Sequence, residues 1–399
     1  MLAPVAVSPL ALPAIAHFGR FDILGRLALG GMAEIFLARE SGPGRGVRPV
    51  VLKRILPHVA DDPRFVEMFL HEAELAMNLN HPNLCTIYEF GEQEGEYFIA
   101  MEWVFGVSIT QLHKRLFERD LAGIEPNIVA RIAADVADAL YYAHHARDAE
   151  GKPLKLVHRD VTPDNIMVSF DGKVKLLDFG VAKAASQRIK TEAGMLKGKF
   201  AYMAPEQYQG QELDGRADVF SLGACMYEAA TGLALFHRAS EYETMGAIVM
   251  DEPAPRAREA KPGLPTGLDI IIARALEKDR ERRFGSAGEL HAALDRFMAS
   301  TGKATRSADV SEYVGALYAE LKREGPSIDT RRELWTRESA EGQRSRAAMR
   351  DALSVELDIA ADELESGQDK KSWLVRGVIA VLVIALLALV LRALLQTGP

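Results

Sequence analysis

The stretch Leu156–Gly180, LVHRDVTPDNIMVSFDGKVKLLDFG, constrains this chain more than any other. Two short apolar runs, Ile166–Val168 and Val174–Leu177, flank the dipeptide Asp171-Gly172. Asp-Gly between such runs predicts a two-residue β-hairpin turn, because those residues tolerate the left-handed backbone that the turn requires. A tight hairpin brings its two ends side by side. Asn165 stands at one end and Asp178 at the other, so both can face one spot. One carboxylate, one amide oxygen and waters suit Mg2+, a hard ion that keeps several waters and takes few protein ligands. Asp160 would sit beside them, free to accept a proton from an attacking hydroxyl.

His158-Arg159-Asp160, with Asn165 five residues after the Asp, then Asp178-Phe179-Gly180, resembles the catalytic core of the Hanks-type protein kinases. The resemblance implies that Asp160 is the catalytic base and that Asn165 and Asp178 hold Mg2+, with Mn2+ as a substitute. It makes Arg159 an anchor for a phosphate on the activation loop. It also implies an α+β fold of two lobes, a small antiparallel-sheet lobe and a large helical lobe, with ATP between them and protein substrates outside.

The residues before this core are read on the same basis. Met1 to Arg20 are rich in Ala and Pro, and no Lys or Arg precedes Arg20, unlike a secretory signal. They are expected to form a flexible extension. From Phe21 to Lys53 the pattern is strand, turn, strand, turn, strand. The family's phosphate-loop glycines align with Ala28, Gly30 and Ala33, and its valine with Ile35. Gly30-Gly31 still allows close backbone approach to a phosphate. Val50-Val51-Leu52-Lys53 matches the family's V-A-I-K, which makes Lys53 the contact to the α- and β-phosphates. Arg64 to Leu79 has helical apolar spacing, and with His81-Pro82-Asn83 after it this segment resembles the family's C-helix, which implies Glu72 as the ion-pair partner of Lys53, with Glu74 on another face. By resemblance, Leu27, Ile35 and Val51 line the adenine site and Met101 is the gatekeeper. The Glu102 carbonyl and the Val104 amide would then meet the adenine.

Beyond the core, the loop from Gly180 to Ala204-Pro205-Glu206 carries Ser186 and Thr191 among Lys183, Arg188 and Lys190. Thr191, then Ser186, are the expected phosphorylation sites facing Arg159. Asp218 matches the family aspartate that braces the catalytic loop, and Arg283 the arginine that pairs with Glu206. One departure is double. Two residues after the catalytic Asp, serine/threonine kinases usually carry Lys, and here stands Thr162. Near A-P-E they usually carry Gly-Thr, and here stands Gly198-Lys199. The exchange makes Lys199 the expected source of the missing positive charge, with Thr162 beside it.

The kinase domain is expected over 21–298. A charged juxtamembrane linker with helical segments follows over 299–372. A helix around Val310, Val314 and Leu317 would dock on the large lobe or pair with another chain in a homodimer. Gly377–Leu391 has no polar side chain. Fifteen helical residues span about 22 Å, and snorkelling Arg376 and Arg392 extend that towards the roughly 30 Å hydrocarbon core. A single-pass membrane helix over 373–395 is expected, with the kinase in the cytoplasm because Lys370, Lys371 and Arg376 lie on its side. The net charge of −8 argues against a nucleic-acid partner. Two cysteines, Cys85 and Cys225, fit buried free thiols. The reading is a membrane-tethered serine/threonine protein kinase that also phosphorylates itself. The alternative is a catalytically weak pseudokinase acting as a scaffold, favoured by the two alanines of the phosphate loop.

Overall fold

The computed structural model describes residues 12–42, 45–148, 150–179, 199–238, 240–250, 253–302 and 304–319, with Thr330 beyond. The small lobe is one antiparallel sheet of β1 (Ala16–Phe18), β2 (Phe21–Leu29), β3 (Ala33–Gly42), β4 (Arg45–Ile55), β5 (Ile87–Gln93) and β6 (Glu96–Glu102). Its strand order is β1-β2-β3-β4-β6-β5. Alternation sets its two faces. Phe18, Phe21, Ile23, Phe36, Val50, Leu52 and Phe98 pack one buried cluster, and Val51, Ile99 and Met101 belong to another. Short α1 (Pro57–Ala60) leads into α2 (Pro63–Met77), which Asp62 caps by accepting from the Arg64 N–H at 3.0 Å. Its buried positions Phe69, Glu72, Ala73 and Ala76 form the stripe that a helix turns inward. Glu72 is the one charge on that stripe.

The strand β7 (Gly106–Ser108) follows, and Ser108 opens α3 (Ile109–Phe117) with a capping box to Gln111. The long α4 (Pro126–His144) runs through the large lobe, and twelve of its residues are buried. β8 (Ile166–Ser169) and β9 (Val174–Leu176) form the expected hairpin, and β7 pairs with β8 on its other side. Gly106 makes this possible: a Cβ there would lie 2.1 Å from the Val168 carbonyl oxygen. A 3-10 turn at Lys199–Tyr202 precedes α5 (Pro205–Tyr208). The helix α6 (Arg216–Thr231) is buried on nearly all sides and stops at left-handed Gly232. Around it lie α7 (Glu241–Val249), α8 (Ala257–Ala260), α9 (Thr266–Ala275), α10 (Ala287–Ser300) and α11 (Ser307–Leu317).

Two boundaries differ from expectation. The first twenty residues are not all loose extension. Ala16–Phe18 pairs with Phe21–Ile23, and Phe18 is buried with its ring 5.2 Å from that of Phe98. Ala- and Pro-rich composition concealed three residues that add an edge strand. The packed body also continues past Met298, because α11 buries Val310, Val314 and Leu317 in the large-lobe core. This helix docks on its own lobe. Of the cysteines, Cys225 is buried and Cys85 half-buried. Among the described residues no helix is long and apolar enough to cross a membrane, and 373–395 lies outside them.

Arg283 and Glu206 close the large lobe from opposite ends of its sequence. Both Arg283 nitrogens Nη1 and Nη2 donate to the carboxylate, at 2.6 and 2.8 Å. The Arg283 side chain has no exposure, so the ion pair is fully inside the protein. Removing one partner leaves an uncompensated buried charge, a loss of about 3–5 kcal/mol. Glu206→Ala should therefore lower the free energy of unfolding by that amount in denaturant titration. A change below about 1 kcal/mol, the scale of an exposed pair, would contradict the buried assignment.

Candidate active site

The cleft between the lobes gathers Lys53, Glu72, Asp160, Asn165 and Asp178. Lys53 lies centrally in the sheet, opposite Ile35 on β3 and Ile99 on β6. Its Nζ is 3.0 Å from Asp178 Oδ2 and 3.7 Å from Glu72 Oε1. Burial alone would lower the Lys53 pKa, but the Asp178 and Glu72 carboxylates outweigh it and hold it above the usual lysine range. Both carboxylates therefore favour the charged ammonium. Glu74, the other candidate partner, is exposed.

The catalytic loop is held from beneath by a buried carboxylate. Asp218 accepts from the backbone N–H groups of His158 (2.7 Å) and Arg159 (2.8 Å) and lies 2.8 Å from His144 Nε2. Burial would raise its pKa, but the His144 hydrogen bond and the surrounding donors hold it below the usual carboxylate range. These contacts fix Arg159 at φ 66°, a backbone region uncommon for a residue with a side chain. Gln207 Nε2 donates to the Arg159 carbonyl at 3.1 Å. Burial pushes the His158 pKa down. As a neutral ring, His158 donates from Nε2 to the Leu177 carbonyl (3.0 Å) and accepts at Nδ1 from the Asp160 N–H (3.3 Å).

Asn165 and Asp178 flank the open end of the β8–β9 hairpin, tied by Leu177 N–H to Asn165 O at 2.8 Å. The Asn165 amide nitrogen donates to the Asp160 carboxylate (2.6 Å) and carbonyl (2.8 Å). Its amide oxygen is thereby the atom left for a cation. Asp178 takes φ 44° and keeps a third of its side chain exposed. These oxygen donors, with no thiol or imidazole among them, fit Mg2+. Among the described residues no cluster of three or more His, Cys, Asp or Glu offers a richer metal site.

On the nucleotide side, Leu27, Ile35, Val51 and Met101 fall in one apolar cluster with Trp103. Ala28, Gly30 and Gly31 are exposed at the β2–β3 turn, where the Gly30 N–H donates to the Ala33 carbonyl at 2.9 Å. Glu102 and Val104 lie half-buried on the connection between the lobes. Thr162 is 2% exposed, and its hydroxyl has no hydrogen-bond partner among the described residues. Lys199 starts the 3-10 turn, and its side chain lies outside the description, as do Ser186 and Thr191.

Sequence reasoning missed three participants. Glu34, 4% exposed, accepts from Arg26 (3.1 Å) and Arg54 (2.7 Å) and so ties β2, β3 and β4 beneath the phosphate loop. Its signal was available: it alternates with buried Phe36 and Ala38, on the inward face of β3. Lys175 Nζ reaches the Leu84 carbonyl (3.1 Å) and the Glu102 carboxylate (2.8 Å), joining β9 to the interlobe connection. Glu102 thus contributes its carboxylate as well as the carbonyl that the resemblance implies. His144, at the end of α4, lies 2.8 Å from the Asp218 carboxylate, a partner 74 residues away that helix spacing does not reveal.

A sheet-borne lysine between two carboxylates, across a cleft from an aspartate on a braced loop, defines a two-lobed phosphotransferase architecture. Residues 21–294 match the protein kinase domain family. The tyrosine-protein kinase MasK of Myxococcus xanthus is 42% identical over 286 residues, covering 72% of this chain and 44% of that protein. The serine/threonine-protein kinase PknD of Mycobacterium tuberculosis is 35% identical over 276 residues, covering 69% and 39%. The chain thus spans less than half the length of these curated relatives. The solved M. tuberculosis PknI kinase domain superposes with a TM-score of 0.55 at 28% identity, covering 72% of this chain and all of that one. The chain belongs to the Hanks-type protein kinase family.

Proposed function

We propose that this chain is a membrane-tethered protein kinase that transfers the γ-phosphoryl group of ATP to serine or threonine hydroxyls of proteins, its own included. The observation that carries the reading is Lys53 Nζ poised 3.0 Å from Asp178 and 3.7 Å from Glu72. The acceptor hydroxyl gives its proton to Asp160, whose carboxylate Asn165 orients at 2.6 Å. The new O–P bond forms as the bond to the β-phosphate oxygen breaks, and ADP leaves with the electron pair. Lys53 neutralises the α- and β-phosphates, and the apolar cluster of Leu27, Ile35, Val51 and Met101 packs the adenine. Mg2+, held by Asp178 and Asn165, would neutralise phosphate charge.

Lys53→Met and Asp178→Asn should each reduce transfer to a generic protein substrate by orders of magnitude with folding retained, since each removes charge aimed at the phosphates. Unchanged turnover in either variant sinks the kinase reading. A scaffold would keep its cellular role in both. The relatives include kinases named for serine/threonine and for tyrosine, so the same assay carries acceptor peptides of both kinds.

The Thr162 and Lys199 exchange belongs to this reading. Thr162, buried two residues after Asp160, stands where the family's lysine would, so the transferred group needs another cation, and Lys199 is the residue proposed to supply it. Lys199→Ala is expected to cost about 3 kcal/mol of transition-state stabilisation, the scale of one preorganised donor. The double change Thr162→Lys with Lys199→Thr should recover much of that loss, making the sites non-additive. Near-normal activity of Lys199→Ala, at saturating ATP and subsaturating acceptor, removes the exchange from the mechanism.

The apolar run Gly377–Leu391 supports the tether. The intact chain should sediment with membranes, and deletion from Lys370 onward should release active protein. Intact chain in the soluble fraction rules the tether out.

A further inference from the structure

We infer that α11 is a positioning element for the hairpin that carries Asn165 and Asp178, with Ser311 as its principal positioning residue; the inference rests on the metal-binding role proposed for that hairpin. The hairpin is short: four residues in β8 and three in β9. A ribbon this small is not rigid by itself and takes its tilt from whatever packs on it. Asn165 directly precedes β8 and Asp178 follows β9 by two residues, so a tilt at the far turn moves both ligands together.

The far turn is where α11 sits. Gly172 takes φ +84°, and a Cβ there would lie 1.8 Å from the Ser307 carbonyl oxygen and 2.9 Å from the Ser311 nitrogen. The backbone of α11 thus occupies the space a side chain would need. Ser311 Oγ donates to the Phe170 carbonyl at 2.7 Å, gripping the turn from one side. The Phe170 N–H donates to the Phe105 carbonyl at 3.0 Å, and their rings meet edge to face at 4.9 Å, gripping it from the interlobe connection.

The other end of α11 is anchored on α3. Arg115 Nε and Arg119 Nη2 donate to the Leu317 carbonyl at 3.2 and 3.0 Å, satisfying the last turn of the helix. Tyr318 donates from its hydroxyl to the Gln111 carbonyl at 2.5 Å. Between these ends, Val310 and Val314 are fully buried. The helix therefore spans from a fixed point on α3 to the turn of the hairpin. It lies beyond residues 21–294, which match the protein kinase domain family. A helix that only added apolar burial would raise stability and leave the metal requirement alone.

The test uses the full-length chain with Ser311→Ala, Ser311→Thr and Val314→Asp. Two quantities are read against Mg2+ concentration: phosphoryl transfer at saturating ATP, and the shift in Tm with a nonhydrolysable ATP analogue present. Groups bonded directly to metal ligands alter affinity by roughly 10–100-fold, so a more distant brace should act at about 3–10-fold. Half-saturating Mg2+ should rise by that factor in Ser311→Ala and Val314→Asp in both readouts, and Ser311→Thr, which keeps the hydroxyl, should match the parent. Lowered Tm with unchanged Mg2+ half-saturation overturns the inference and leaves α11 a stabilising helix. If Val314→Asp does not fold, Ser311→Ala against Ser311→Thr decides. If the parent transfers no phosphate, the kinase reading has failed, and the Tm readout still tests the brace.

Discussion

A carboxylate with no exposure is the constraint on which the catalytic loop depends. Buried charge is costly unless it is paired and hydrogen-bonded. Asp218 meets that condition with two backbone N–H groups and His144. The same bonds hold Arg159 in a left-handed conformation that its side chain disfavours. A strained backbone persists only where its surroundings overdetermine it. Here that strain turns the loop so that Asp160 faces Asn165.

The Lys53 pair has a different character. It links the sheet to the end of the hairpin across a cleft, at 3.0 Å to Asp178 and 3.7 Å to Glu72. One side of the link is a rigid strand in mid-sheet and the other is a helix stripe otherwise apolar. Both charges are therefore placed by packing before any ligand arrives. Such preorganisation is what makes electrostatic stabilisation effective, because nothing has to reorient during transfer.

Around these two points the structure adds supports that converge on one small hairpin. Lys175 ties β9 to Glu102 and the interlobe connection. Asn83 donates to the Val174 carbonyl at 2.9 Å from the segment after α2. Ser311 holds the turn from α11. Seven strand residues are thus contacted from both lobes and from the C-terminal helix. The hairpin is the natural point for events elsewhere in the chain to alter metal and phosphate binding.

Much of the site was legible in the sequence by itself. Asn165 and Asp178 could be grouped because two short apolar runs around Asp171-Gly172 predict a hairpin, whose open end brings its flanking residues together beside Asp160. Lys53 and Glu72 followed from the resemblance of Val50–Lys53 and of the helix before His81-Pro82-Asn83 to family motifs. Gly172 was legible as a turn residue, but only the tertiary structure showed that α11 also forbids a side chain there. Glu34 with Arg26 and Arg54, Lys175 with Glu102, and His144 with Asp218 were decided by packing, since each joins elements whose distance in space no local pattern encodes. The edge strand Ala16–Phe18 was decided the same way: three residues carry too little local preference to announce themselves, and they pair because a finished sheet is there to receive them. The helix of Val310, Val314 and Leu317 was legible from its apolar spacing, but packing decided that it docks on its own lobe rather than on another chain.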